Sequence, residues 1–161
     1  MAKEDFLNSE GKVDTLETLD SVRGFFGKYR CLSNFHACNV RIDGLNFSSS
    51  EAAYMAQKTL DPEIKRQFAQ CITGKDAKAL GYKIQIRDDW DDIHRIHAMY
   101  RVLFAKFTQN PDLLAILIGT QNKYLEESNW WGDKYWGKVD GVGFNHLGEI
   151  LMTIRNFVIQ A

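Results

Sequence analysis

The strongest constraint on the fold is a long amphipathic helix predicted in the second half of the chain. Apolar side chains recur there at helical spacing, behind a run of aspartates that can cap the helix start. These apolar positions are Ile93, Ile96, Tyr100, Leu103, Phe104 and Phe107. A helix with one apolar stripe must bury it against other elements, so this segment is expected to form a central part of the core.

Further helices are predicted from their end signals. Ser48 to Ser50 is expected to cap a helix that runs to about Leu60, and Asp61-Pro62 is typical of a cap followed by a first-turn proline. The other predicted helices run from Gly74 to Leu80, from Asn110-Pro111 to Gly119, and from about His146 towards the end of the chain.

Strands are predicted only before these helices. Gly24 to Tyr29 and Asn39 to Phe47 carry alternating apolar residues, and Asp43-Gly44 is typical of a tight turn between two strands. The expected fold is therefore a mainly α, α+β single domain with a small antiparallel β-sheet near the N-terminus. Thr120 to Asn145, rich in Trp, Gly and Asn, predicts a long irregular loop, and such loops often carry function.

Composition is that of an ordinary globular domain. The chain has 161 residues, of which 45% are hydrophobic and 25% charged, enough for one core. Its 20 basic and 21 acidic side chains nearly cancel, so no overall basic field attracts nucleic acid and any such contact must be local. Residues 1–20 hold two lysines against six carboxylates, which predicts an acidic, mobile arm before a folded domain at 21–161.

Cysteine and histidine spacing gives no sign of a metal site. Cys31, Cys38 and Cys71 are odd in number and include no C-x-x-C pair, so neither a disulfide framework nor a zinc site is expected. His94 and His97 lack a third ligand at a metal-binding spacing, and no cofactor is expected. The chain shows neither an apolar run of transmembrane length nor a signal core, so we expect a cytoplasmic protein without a membrane partner.

The segment from Ser49 to Lys58 puts a carboxylate and an amine on one side of a predicted helix. Glu51 and Lys58 are seven residues apart, about two turns, with Tyr54 and Met55 between them. Such a face suits a polar ligand that reaches both ends. Spacing alone leaves two interpretations open: Glu51 as a proton carrier or a first-turn acid, and Lys58 as a nucleophile or a salt-bridge partner.

Six short blocks, in this order, make the chain similar to the NADAR, or YbiA-like, N-glycosidase family. The resemblance covers residues 24 to 157. The blocks are Ser33-Asn34-Phe35, Ser50-Glu51 with Gln57-Lys58, Asp89-Trp90, Lys106-Phe107-Thr108-Gln109-Asn110, Tyr135-Trp136-Gly137, and Gly143-Phe144-Asn145-His146-Leu147-Gly148.

This resemblance implies an N-glycosidase whose reactive set is Glu51, Lys58 and Asp133. The implied reaction breaks the C–N bond between a ribose, in ADP-ribose or ribose phosphate, and a guanine-like or aminopyrimidine base. The implied partner is such a ribosylated base or nucleotide, including ADP-ribosylated nucleic acid and riboflavin-pathway intermediates. Carboxylates stabilise the positive charge that develops on the sugar, and Lys58 is expected to attack the anomeric carbon and form a Schiff base.

Rings and amides are the expected substrate-binding groups. An aromatic face stacks on a planar base, and an amide offers both a donor and an acceptor. The residues alone also allow core packing for the tryptophans and a helix-capping role for the last amide. The expected set is Asn34, Phe35, Tyr54, Trp90, Trp136, Gly137 and Asn145.

Two features qualify the expected function. Ala52 and Ala53 stand where the family usually has bulkier residues, so the pocket is expected to have a different shape. The alternative function is a module that binds ADP-ribose or a related nucleotide without turnover. The presence of all three reactive residues favours the enzyme, because a pure binder does not need that combination.

Overall fold

The computed structural model describes residues 2–160. The chain forms two compact units. One unit comprises the described residues 2–33 and 115–160, and the other comprises Asn34–Leu114. The boundary predicted after residue 20 falls inside the first unit. The mobility of residues 1–20 stays a prediction.

The elements follow the expected α+β class, with helices outnumbering short strands. The strands are β1 (Leu16–Glu17), β2 (Ser21–Arg23), β3 (Ala37–Ile42), β4 (Leu45–Ser49) and β5 (Tyr124–Glu126). The α-helices are α1 (Ser50–Ala56), α2 (Pro62–Gln70), α3 (Gly74–Gly81), α4 (Asp92–Gln109), α5 (Pro111–Gly119) and α6 (His146–Gln160), and 3-10 turns cover Lys3–Phe6 and Gly27–Leu32. In the described residues, no helix is both long and apolar enough to cross a bilayer.

The first unit is organised around a three-stranded sheet. β1 pairs antiparallel with β2, and β2 pairs parallel with β5, which aligns Val22 with Leu125. Both of these central residues are fully buried. β5 also contacts α6, whose buried side includes Leu147, Leu151 and Ile154. Strand β5 was not predicted, because its partner lies about a hundred residues earlier in the chain.

The second unit contains the predicted hairpin and places α1 at its centre. β3 and β4 pair antiparallel around Asp43 and Gly44, whose φ angles of 51° and 77° are those of a tight hairpin turn. All seven residues of α1 are buried, and the helix contacts α2, α3, α4 and β4.

Helix starts agree with the sequence better than helix ends do. Asp61 and Asp91 cap α2 and α4 through their side chains, as predicted. Helix α1 ends at Ala56 rather than near Leu60. The segment Gly24–Tyr29 is not a strand, because the chain enters a 3-10 turn at Gly27.

The buried side of α4 is rotated from the predicted stripe. Leu103 and Phe107 are buried as expected, but Ile93 is 66% exposed. Further buried positions on this helix are Ala98, Met99, Val102 and Lys106. A lysine therefore occupies a core position on this helix, although the predicted stripe contained apolar and aromatic residues only.

Candidate active site

Glu51 lies in the first turn of α1, where its main chain is fixed by hydrogen bonds. Ser49 caps the helix, its Oγ accepting from Ala52 N at 3.2 Å, and the Glu51 N–H donates to the Asn34 carbonyl at 3.0 Å. Its side chain is buried, and α3 begins beside it: a Cβ on Gly74 would lie 3.2 Å from the Glu51 Cβ. The carboxylate is thus held at a buried helix start with little room for another side chain.

Lys58 follows α1 instead of lying on it. Its carbonyl accepts the backbone N–H of Arg87 at 2.9 Å, and its Nζ lies 5.5 Å from the centre of the Tyr54 ring. Burial lowers the pKa of the Lys58 ammonium; Glu51 opposes this shift, while Arg95 and Lys78 add to it. Such an amine loses its proton more readily than a solvated lysine, which a nucleophile requires.

Aromatic rings gather around these two groups within the second unit. Tyr54 is buried, and its ring lies 5.8 Å from that of Trp90 at a tilt of 52°. Phe35 is packed against the start of α3, and the Nζ of Lys78 lies 5.6 Å from its ring centre. Five predicted residues, Glu51, Lys58, Phe35, Tyr54 and Trp90, are therefore linked by packing or electrostatics.

Asn34 adjoins this cluster through its main chain. Its carbonyl accepts from Glu51, as described, and its Nδ2 donates to the Met99 sulfur at 3.3 Å. The side chain is 7% exposed, and its Oδ1 has no hydrogen-bond partner among the described residues. A buried acceptor without a partner is unusual and marks a position under functional or structural constraint.

Asp133 belongs to the first unit, where it holds a turn. Its Oδ1 accepts the backbone N–H groups of Tyr135 at 3.0 Å and Trp136 at 2.9 Å. Asn129 fixes the same residue from the other side, through bonds to its N–H and its carbonyl. One carboxylate oxygen of Asp133 therefore has a local structural role of the kind common in loops.

Gly137 and Asn145 are built into the same loop. A Cβ on Gly137 would lie 2.1 Å from the Glu127 carbonyl, so no larger residue fits without backbone movement. Asn145 is fully buried; its Oδ1 accepts from Glu127 N, and its Nδ2 donates to the Tyr124 hydroxyl and the Leu125 carbonyl. These side-chain bonds tie Asn145 to β5 and to the residue after it instead of capping α6, and its role in substrate binding stays a prediction.

Trp136 is half-buried, and its ring meets Tyr135 edge-on at 4.9 Å. Its role in binding stays a prediction. Across residues 2–160 there is no group of three His, Cys, Asp or Glu side chains placed to hold a metal ion.

The sequence profile of the NADAR domain matches residues 24–158. The chain belongs to the NADAR family. It is 30% identical over 148 residues to the N-glycosidase YbiA of Escherichia coli (strain K12), covering 88% of each protein. It is 35% identical over 127 residues to the riboflavin biosynthesis protein VVA0006 of Vibrio vulnificus (strain YJ016), but spans only 34% of that protein.

A solved NADAR relative supports the fold as well. The NMR structure of the E. coli protein YbiA matches 99% of this chain and 92% of its own, with a TM-score of 0.78 and 26% identity. The resemblance drawn from the six blocks is confirmed at the level of the family.

Sequence reasoning missed three residues that act on the candidate ones. Lys78 and Arg95 act electrostatically on Lys58, and Asn129 fixes Asp133. Each is a common surface type with no distinctive spacing, so only the fold identifies it. The sequence did contain one further signal: Lys106 lies inside a family block, but no role was predicted for it.

Proposed function

We propose that this protein is an N-glycosidase that hydrolyses the bond between a ribose and a guanine-like or aminopyrimidine base. One observation carries the proposal: Lys58, with a lowered pKa, is electrostatically coupled to the buried Glu51 beside the Tyr54 and Trp90 rings. The names of the relatives support the reaction class. Their family does not specify the substrate.

In the proposed reaction, neutral Lys58 supplies the electron pair. Its Nζ bonds to the anomeric carbon as the bond to the base breaks, and the base nitrogen leaves with a proton supplied by Glu51. The secondary ammonium formed on Lys58 then gives one proton to the ring oxygen as the ring C–O bond breaks, which leaves an iminium between Lys58 and the open sugar. Water, losing a proton to Glu51, adds to that carbon and releases the sugar and the amine.

The charges around Lys58 favour an anionic sugar. Lys78 and Arg95 are close enough to lower the pKa of Lys58, so the site carries positive charge besides the amine. Phosphate groups of ADP-ribose or ribose phosphate would be attracted by that charge and would offset part of its effect on Lys58. The half-buried Trp90, packed against the buried Tyr54, supplies ring surface for the base, worth about 1–3 kcal/mol for one stacked base.

The test is a panel of ribosylated substrates with mass-spectrometric detection of the released base. The panel pairs an oligonucleotide carrying ADP-ribosylated guanine with a phosphoribosylated aminopyrimidine. Release from either supports the proposal and identifies the substrate class. Binding of ADP-ribose without release of a base from any substrate would contradict the proposed enzyme and indicate a binding module instead.

Borohydride added during turnover tests the covalent step. We expect a reduced adduct on Lys58, and Lys58→Arg should bind ligand without turnover because arginine stays protonated. Lys83→Arg, at an exposed position, is the matched control and should keep full activity. An active Lys58→Arg enzyme with no adduct would instead mean direct attack by water.

A further inference from the structure

Lys106 is a fully buried amine that the proposed reaction does not use. It lies on α4 with 0% exposure, and its Nζ is 3.4 Å from the Ser50 Oγ. Lysine is almost never fully buried, because removing an ammonium from water costs several kcal/mol per ion. A side chain kept at that cost calls for a role beyond filling space.

Helix stability does not provide that role. Ser50 is the first residue of α1, so the ammonium lies beside the helix N-terminus. The partial charge at that end of a helix is positive, and a cation there is unfavourable.

Hydrogen bonds connect Lys106 to the main chain of Glu51. The Ser50 hydroxyl donates its single hydrogen to the Asn34 carbonyl at 3.2 Å, so Nζ of Lys106 must be the donor to Ser50 Oγ. The same carbonyl accepts the Glu51 N–H at 3.0 Å. The direction of donation is consistent along the whole path from Nζ to the carbonyl oxygen.

Asn34 depends on this path for its position. Its side-chain bond is a weak one to the Met99 sulfur, and its Oδ1 has no hydrogen-bond partner among residues 2–160. The main-chain carbonyl is therefore the better-anchored part of the residue. Releasing Ser50 would loosen both the carbonyl and the helix start that carries Glu51.

We infer that Lys106 is a positioning residue that, through Ser50 and Asn34, sets the placement of Glu51 for catalysis. The inference rests on the proposed function, since it assigns Glu51 a role in turnover. A displacement of about 1 Å at a catalytic group is enough to cost roughly 10²-fold in rate.

The test compares Lys106→Met, which keeps the length and apolar stem, with Ser50→Ala, which removes the middle link. Both variants should lower kcat by about 10-fold to 10²-fold with little change in KM, and the double variant should lose no more than the larger single effect.

Leu103→Val is the control, because it removes buried volume one turn earlier on the same helix. It should lower thermal stability and leave kcat unchanged.

A second readout does not depend on activity. Carbon-13 labelling of glutamate carboxyls reports the Glu51 environment, and we expect its resonance to move in Lys106→Met and Ser50→Ala but not in Leu103→Val. An unchanged resonance, or wild-type kcat in both variants, would overturn the inference. If Lys106→Met does not fold, Ser50→Ala decides alone.

These readouts separate two failures. A wild-type protein that releases no base from any substrate overturns the proposed function, and the carboxyl resonance then still decides the positioning of Glu51. An active wild type with unaffected variants overturns the Lys106 inference alone.

Discussion

Two regions supply the predicted site residues, and they use their polar groups differently. Around α1, in the second unit, the Lys58 ammonium is partly dehydrated and its pKa is lowered by burial. In the loop from 127 to 145, in the first unit, Asp133 and Asn145 bond to the backbone around them. The first region holds groups whose reactivity the fold alters, and the second holds groups that build the loop itself.

The contrast shows that a motif match does not distinguish chemistry from scaffolding. Gly137 and Asn145 lie in family blocks as clear as the one containing Glu51. Gly137 is required because the Glu127 carbonyl occupies the space of a Cβ. Asn145 is required because its amide joins Tyr124, Leu125 and Glu127. Packing and hydrogen bonding therefore account for both loop residues without a ligand.

The largest expected loss of activity is at Glu51, in the region around α1. Glu51→Gln should reduce turnover at least ~10²-fold, because the amide cannot carry the proton or stabilise positive charge on the sugar. Glu63→Gln is the matched control: Glu63 occupies the same first-turn position in α2 but is exposed. Turnover with purified variants checks the prediction, and equal activity in both would remove Glu51 from the chemistry.

Asp133 offers the sharpest test of the contrast between the two regions, because it is a predicted reactive residue that lies in the loop. Asp133→Asn keeps the Oδ1 that accepts from Tyr135 and Trp136, so thermal stability should stay close to wild type. If Asp133 belongs to the reactive set, turnover should fall by about 10²-fold. Asp133→Ala should in addition lose about 1 kcal/mol of folding stability with its turn bonds. A fully active Asp133→Asn protein would make the loop a scaffold throughout.

Asn145→Ala should act on stability instead of chemistry. The change removes a hydrogen-bond partner from the Tyr124 hydroxyl, the Leu125 carbonyl and the Glu127 N–H. We expect this to lower the free energy of unfolding by about 2–4 kcal/mol. Denaturant titration measures this cost, with the exposed Asn122→Ala as the control within about 0.5 kcal/mol. Activity per folded molecule should be kept, and a selective loss of substrate binding would assign Asn145 to the ligand after all.

The smallest effect concerns pH. If neutral Lys58 is the nucleophile, kcat/KM rises with pH as the ammonium loses its proton. Lys78→Met removes one of the charges that lower the pKa of Lys58, so that rise should move to higher pH. Lys75→Met, an exposed change on the same helix, is the control. A shift to lower pH, or none, would contradict the electrostatic coupling.

Local signals explain what the sequence could predict. The caps at Asp61 and Asp91 and the Asp43-Gly44 turn depend on neighbouring residues only, and the structure confirms all three. The end of α1 depends on distant ones: the Lys58 carbonyl bonds to Arg87 N, nearly thirty residues later. Residues 57–60 contain neither Gly nor Pro, so nothing in the local sequence marks that end.

Periodicity failed where burial is not apolar. The predicted stripe of α4 omitted Lys106, Met99 and Val102, and all three are buried. Ile93 was predicted to be buried but is exposed, because it lies in the first turn of α4, before the part of the helix that packs against the core. The candidate residues came from the family resemblance, while their surroundings, including Lys78 and Arg95, required the fold.

The parallel pairing of β2 with β5 has a consequence for synthesis. Residues 21–23 leave the ribosome about a hundred residues before 124–126, a delay of roughly 5–20 s at ordinary translation rates. The whole of Asn34–Leu114 emerges within that delay, and its contacts are nearer in sequence. We therefore expect the unit that carries Glu51 and Lys58 to fold first. Until β5 has been synthesised, the edge of β2 that pairs with it stays unpaired.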